Sequence, residues 1–106
     1  MKNQSKSMRQ IARTNVYRIE VSPAAGRDLN KLKSRINRAD FERIRDAVTS
    51  LVKEPHPQGV RKIKSAENAY RIMVGSFRIV YEVYDNEKLN LLLQVVRKSE
   101  ITYRKE

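Results

Sequence analysis

The chain has 106 residues and no cysteine, and 23 lysines and arginines stand against 12 aspartates and glutamates, a net charge of +11. That length supports one domain with a modest core, and the missing cysteines exclude disulfides, thiolate nucleophiles and zinc ribbons together. No apolar run reaches the length of a membrane span, Leu91–Leu93 being typical, and the opening MKNQSKSMRQ lacks the apolar segment of a secretory signal.

A cationic surplus of this size repels itself in a folded domain and points to a polyanionic partner. Nucleic acid leads, an acidic membrane surface comes second, and an acidic partner protein is compatible with either. Lys2, Lys6, Arg9 and Arg13 give residues 1–14 a charge of +4 without a single acid, which leaves +7 for the rest. Residues 1–14 are expected to be a basic, disordered leader, and 15–106 the folded domain. The leader reads either as a solvated extension or as a nonspecific nucleic-acid arm.

The first predicted element is a strand at Val16–Val21, where Val16, Arg18 and Glu20 alternate with Tyr17, Ile19 and Val21. Ser22-Pro23 then opens a helix, serine as N-cap and proline at the first helical position. Ala25, Leu29, Leu32 and Ile36 follow as one apolar stripe. Asn37 caps a second helix whose buried side is Phe41, Ile44, Val48 and Leu51, and Pro55-His56-Pro57 stops it.

After Gly59 the pattern becomes that of strands. Val60–Lys64 reads as a short one. Tyr70–Val74 and Phe77–Tyr84 read as a hairpin across Gly75-Ser76, where a leading glycine suits a type II′ turn. Asp85–Lys88 is a polar turn. Leu89–Val96 is the most apolar strand and is expected at the centre of the sheet. Two helices followed by hairpin-linked strands predict an α+β fold. Both N-terminal helices should pack on one face of a small, mostly antiparallel sheet of four to five strands, leaving the other face open.

Alternation places Ile79, Tyr81 and Val83 in the core and Arg78, Val80, Glu82 and Tyr84 on the open face. Arg71 shares that open face with Met73, so a regular hairpin brings Arg71 close to Arg78. Arg61, Lys62 and Lys64 add charge on the preceding strand. Guanidinium forks on rigid strands suit phosphate oxygens; a solvated antiparallel face carries the same residues. Arg97, at the end of the last strand, and Tyr103, six residues later, are candidates to close this site. Parity counts against Arg97: with Asn90, Leu92 and Gln94 on the open face, Arg97 points to the core unless a bulge intervenes. Tyr103 alone reads more readily as a ring anchoring the C-terminus than as a catalytic group.

No serine–histidine–aspartate set exists, because His56 is the only histidine. One histidine without a cluster predicts no metal site, and three scattered glycines form no phosphate loop. Nuclease chemistry here would have to be built from arginine, lysine and tyrosine, without metal or other cofactor.

The run YRIMVGSFRIVYEV, from Tyr70 to Val83, resembles the hairpin of the RelE/ParE toxin superfamily. YRIEVSPAAGRDLNKL resembles that superfamily's opening strand and helix, LVKEPHPQGVRKIK its second helix end and following strand, and VVRKSEITYRKE the ending of its RelE-type members. The resemblance spans about residues 16–104. It implies a cytoplasmic toxin of a type II toxin–antitoxin system, held by a cognate antitoxin. For a RelE-type member it further implies an endoribonuclease that cuts messenger RNA on the ribosome, by attack of a ribose 2′-hydroxyl on the adjacent phosphate.

Carried onto this sequence, Arg78 matches the arginine that stabilises the transition state. Arg97 matches the arginine near the leaving oxygen, and Tyr103 the tyrosine acting as base or orienting group. Arg71 stands where RelE has a lysine, while Met73 replaces a basic residue of some active members. Arg61, Lys62, Lys64 and Lys98 are the expected contacts to message and ribosomal RNA. Two other functions remain open within the resemblance: a ParE-type inhibitor of DNA gyrase, and a catalytically silent component of a repressor complex.

Overall fold

The structure is a computed structural model, described here for residues 16–64 and 66–98. Strand β1 (Arg18–Val21) leads into helix α1 (Pro23–Arg35) and helix α2 (Arg38–Ser50). Strands β2 (Arg61–Lys62), β3 (Ala69–Val74), β4 (Phe77–Tyr84) and β5 (Leu89–Arg97) follow. The five strands form one sheet in the order β1-β5-β4-β3-β2; β1 runs parallel to β5, and the other pairs are antiparallel. This is the predicted α+β arrangement, with both helices on one face. The leader, residues 1–14, lies outside the described residues.

Local chemistry sets both helix starts. The Ser22 hydroxyl accepts the Ala25 N–H at 3.1 Å, and Pro23 fills the first turn, where its missing donor costs nothing. The Asn37 side chain accepts the Asp40 N–H at 2.8 Å. Capping bonds of this kind are each worth about 1 kcal/mol. The apolar stripes then meet the sheet: Ala25, Leu32, Ile44 and Leu51 are buried against Phe77, Ile79, Tyr81, Val83, Leu92 and Val95. Leu29, Ile36, Phe41 and Val48 pack around that cluster.

The hairpin matches its prediction. Gly75 has φ +59°, and Ser76 is not among the non-glycine residues with positive φ. A type I′ turn needs positive φ at both positions, so the turn fits type II′. A side chain at position 75 would also meet the Arg43 guanidinium, whose nitrogen lies 2.7 Å from an ideal Cβ there.

The last strand differs from its prediction in two respects. It is second in the sheet, and β4 is central. Asn90 and Leu92 are also buried on the helix side, at 1% exposure each, not on the open face. Asn90 is held there because its Nδ2 donates to the Leu51 carbonyl at 2.9 Å, which ties β5 to the end of α2. Tyr81, also on the helix side, donates its Oη to the Pro55 carbonyl at 2.7 Å and clips down the loop after α2. Burial pushes the Tyr81 phenol well above its ordinary value.

Strand β5 carries a bulge. Val80 faces Gln94 and Tyr81 faces Leu92, so Leu93 has no partner of its own. The extra residue reverses the parity of everything beyond it. Val95 therefore stays in the core, Val96 turns to the open face, and Arg97 lies opposite Phe77.

Candidate functional site

Register defines what the open sheet face presents. Arg61 lies directly opposite Arg71, and Arg71 opposite Val80. Met73 lies opposite Arg78, which in turn faces Val96. Directly opposed residues have Cβ atoms roughly 4.5–5.5 Å apart, and diagonal ones such as Arg71 and Arg78 about 7–8 Å. Three guanidiniums thus occupy adjoining positions on three successive strands. Arg61 is exposed, and Arg71 and Arg78 are half-buried.

None of the three makes an ion pair with a described residue. Like charges set directly opposite destabilise a sheet, so the Arg61–Arg71 pair is a cost that an anion would offset. Arg78 adds a sharper signal. Its Nε is shielded from solvent and has no hydrogen-bond partner among the described residues. A buried donor left unpaired costs on the order of 1–3 kcal/mol, so an acceptor placed there would be stabilising.

The acidic neighbours lie to one side. Glu82, on the same face, accepts the Tyr84 hydroxyl at 2.6 Å, and that bond raises the Tyr84 pKa. Glu82 is thereby engaged away from the arginine row. Met73 sits within the row and is 40% exposed, leaving an apolar contact point beside Arg78.

Two of the expected site residues lie apart from the arginine row. Arg97 does not join Arg71 and Arg78. It stacks over the Phe77 ring on the helix side, its guanidinium carbon 5.1 Å from the ring centroid. The Leu93 bulge is the physical cause, and the sequence reading had placed Asn90 and Leu92 on the wrong face. Lys62 does not point with Arg61 either. Alternation sends it to the helix side, where its ammonium binds the carbonyls of Ala66 and Glu67 and lies 5.4 Å from the centre of the Tyr70 ring. It closes the loop before β3.

Lys64 is exposed in that loop, and Lys98 is exposed beyond β5, with its backbone N–H on the Ser76 carbonyl at 2.8 Å. His56 is exposed and touches the edge of Tyr70, remote from the arginine row. Tyr103 lies outside the described residues.

Two features escaped the sequence reading. Arg97 and Lys98 line a cleft with Gly75 and Ser76 at the hairpin tip. Asp28, on α1, accepts the Val95 N–H at 2.9 Å. Neither leaves a signal in local sequence, because both depend on where the bulge falls.

Residues 19–102 match the family model described as the ParE toxin of the type II toxin–antitoxin system parDE. The chain belongs to this toxin family. No curated protein sequence matches it.

Among solved structures, the toxin resembles the archaeal RelE–RelB complex from Pyrococcus horikoshii, with TM-score 0.66 and 22% identity over 78% of this chain and 96% of that one. The isolated Escherichia coli RelE toxin aligns with TM-score 0.60 and 17% identity over 85% of this chain and 99% of that one. The YoeB/ParE toxin from Agrobacterium tumefaciens gives TM-score 0.65 and 14% identity over 74% and 95%. At these identities the likeness establishes the shared fold, and RelE, YoeB and ParE relatives all carry it.

Proposed function

We propose that this toxin is an endoribonuclease that cleaves messenger RNA on the ribosome, with the open sheet face as its RNA-binding surface. The observation that carries this reading is the row Arg61–Arg71–Arg78 on one rigid, solvent-facing surface. In the reaction a ribose 2′-oxygen attacks the adjacent phosphorus, and its proton passes to a base. The bond from phosphorus to the 5′-oxygen breaks, the leaving oxygen takes a proton, and a 2′,3′-cyclic phosphate remains.

Arg78 stabilises the charge that accumulates on the equatorial oxygens, which is the largest single contribution available to such a site. Arg71 and Arg61 hold the flanking phosphates, and Arg71 takes the position of the lysine in RelE. Lys64 and Lys98 extend the contact to RNA backbone. Tyr103 is the candidate base; its free pKa of about 10 would have to be lowered by cationic neighbours. The resident partners are an antitoxin of the same system and the ribosome, in the cytoplasm.

A second reading has specific support. Met73, opposite Arg78, stands where the resemblance gives some active members a basic residue, and Arg97 faces away from the row. Both features fit a ParE-type gyrase inhibitor that needs no cleavage chemistry. Induced expression with mapping of RNA ends separates the two. Cuts at codon spacing, present only with translating ribosomes and persisting in EDTA, support the nuclease. Intact message with altered plasmid supercoiling supports the gyrase reading and overturns the first.

A further inference from the structure

Methionine is commonly spent on filling gaps in a core. Met73 is not placed that way: it stands on the open face of β3 and is 40% exposed. The chain has no cysteine, so Met73 is the only sulfur among the described residues; Met1 and Met8 lie outside them. Register sets Met73 directly opposite Arg78. Val74 and Phe77 flank the two-residue turn, and Met73–Arg78 is the next pair out. Pairs alternate along an antiparallel ladder, which makes this one the non-hydrogen-bonded kind, in which side chains approach most closely. Cβ atoms of such a pair are about 4.5–5.5 Å apart, within easy reach for two long side chains.

Arg78 lacks what its neighbours do not supply. Its Nε is shielded and has no hydrogen-bond partner among the described residues. Its cross-strand neighbours are Met73 on one side and Val96 on the other. Valine offers no acceptor, and a thioether sulfur only a weak one. Gln94, diagonal to Arg78 on β5, carries an amide oxygen that does not bond the Nε.

We propose that Met73 is a reversible oxidation site whose sulfoxide oxygen accepts the Arg78 Nε–H. The oxidant is a peroxide. Its O–O bond breaks, one oxygen atom forms an S–O bond to the thioether, sulfur loses two electrons, and the peroxide is reduced to water or an alcohol. The new oxygen is a strong acceptor placed opposite an unsatisfied charged donor, and bonds to charged donors are the stronger class. Oxidation of a core methionine disrupts packing, whereas here the added oxygen meets solvent and the fold is kept. Sulfoxide reductases reverse the step. A guanidinium held by its neighbour has one edge fewer to offer a phosphate, so peroxide loosens the toxin's grip on RNA and reduction restores it. That consequence rests on the proposed function; the Met73–Arg78 bond does not.

Two measurements on the full chain test the proposal. In the first, nitrogen-15-labelled toxin is treated with hydrogen peroxide, and oxidation of each methionine is read by peptide mass. Met1 and Met8 are free to oxidise as well, so Met73→Leu treated in the same way is the control. After oxidation the Arg78 Nε–H should exchange with water about tenfold more slowly. Treatment with the two sulfoxide reductases, one for each epimer, should return it to its starting rate. Unchanged exchange at Arg78 in toxin oxidised at Met73, or the same slowing in Met73→Leu, overturns the proposal.

In the second, the toxin is titrated with a 2′-O-methylated oligouridylate, which has no free 2′-hydroxyl to attack. Oxidation should weaken binding about tenfold in the wild type and less than about twofold in Met73→Leu. An equal loss in both traces the effect to the other methionines and overturns the proposal. Failure of the unoxidised toxin to bind the oligouridylate counts against the RNA reading alone, and the Arg78 exchange rate then decides whether the sulfoxide bond forms.

Discussion

Replacing Arg78 with alanine removes the guanidinium assigned to the transition state. Its Nε is shielded and unpaired among the described residues, it lies diagonal to Arg71, and it touches no carboxylate there. Its loss should therefore appear in the transition state rather than in stability. Removing a donor aimed at developing charge costs about 2.7–4 kcal/mol, or roughly 10²–10³ in rate. Single-turnover cleavage of message on programmed ribosomes would measure it, with thermal unfolding as the control. Arg97→Ala is the matched comparison. Because Arg97 stacks on Phe77 across the sheet, its rate should fall less than about tenfold. If Arg97→Ala proves as damaging as Arg78→Ala while the fold is intact, the division of the two arginines between faces is refuted as a functional statement.

Other outcomes follow from the core and the phenols. Asn90→Ala deletes the bond to the Leu51 carbonyl and should cost about 1–3 kcal/mol in denaturant unfolding. Asn90→Asp, which buries a charge against a carbonyl, should cost more; equal stability of all three would show that the clip is idle. Tyr17 donates to Asp85 at 2.6 Å, and that bond, with burial and nearby Glu54, raises its pKa from 10.0 to about 12. A raised folded-state pKa means that the stabilisation is complete below pH 10 and is lost as pH climbs toward 12. Alkaline unfolding should therefore be shallower in Tyr17→Phe. An unchanged slope in that variant would contradict the assignment.

The sequence was legible wherever the signal was local. Ser22-Pro23 and Asn37 announced the helix starts, and Gly75 between two alternating runs announced the hairpin, because capping and turn chemistry are settled within a few residues. The same alternation put Arg71 and Arg78 on one face. It failed on β5, where Leu89, Leu91, Leu92, Leu93, Val95 and Val96 leave both faces apolar and alternation carries no information. Only the register with β4 reveals that Leu93 is the extra residue and that Asn90 is a buried donor to α2. The side of the sheet that Lys62 takes was not legible for a related reason. A two-residue strand has almost no pattern, and its lysine is drawn to the carbonyls of the next loop. The parallel pairing of β1 with β5, across most of the chain, was equally beyond any local signal.

The most direct measurement is photo-crosslinking from the two faces of the sheet on ribosomes carrying message in the A site. A crosslinking residue at Met73, exposed beside Arg78, should capture the message, whereas one at Lys33 on α1 should not. Capture of message from Lys33 alone, or of gyrase rather than RNA from Met73, would contradict the account.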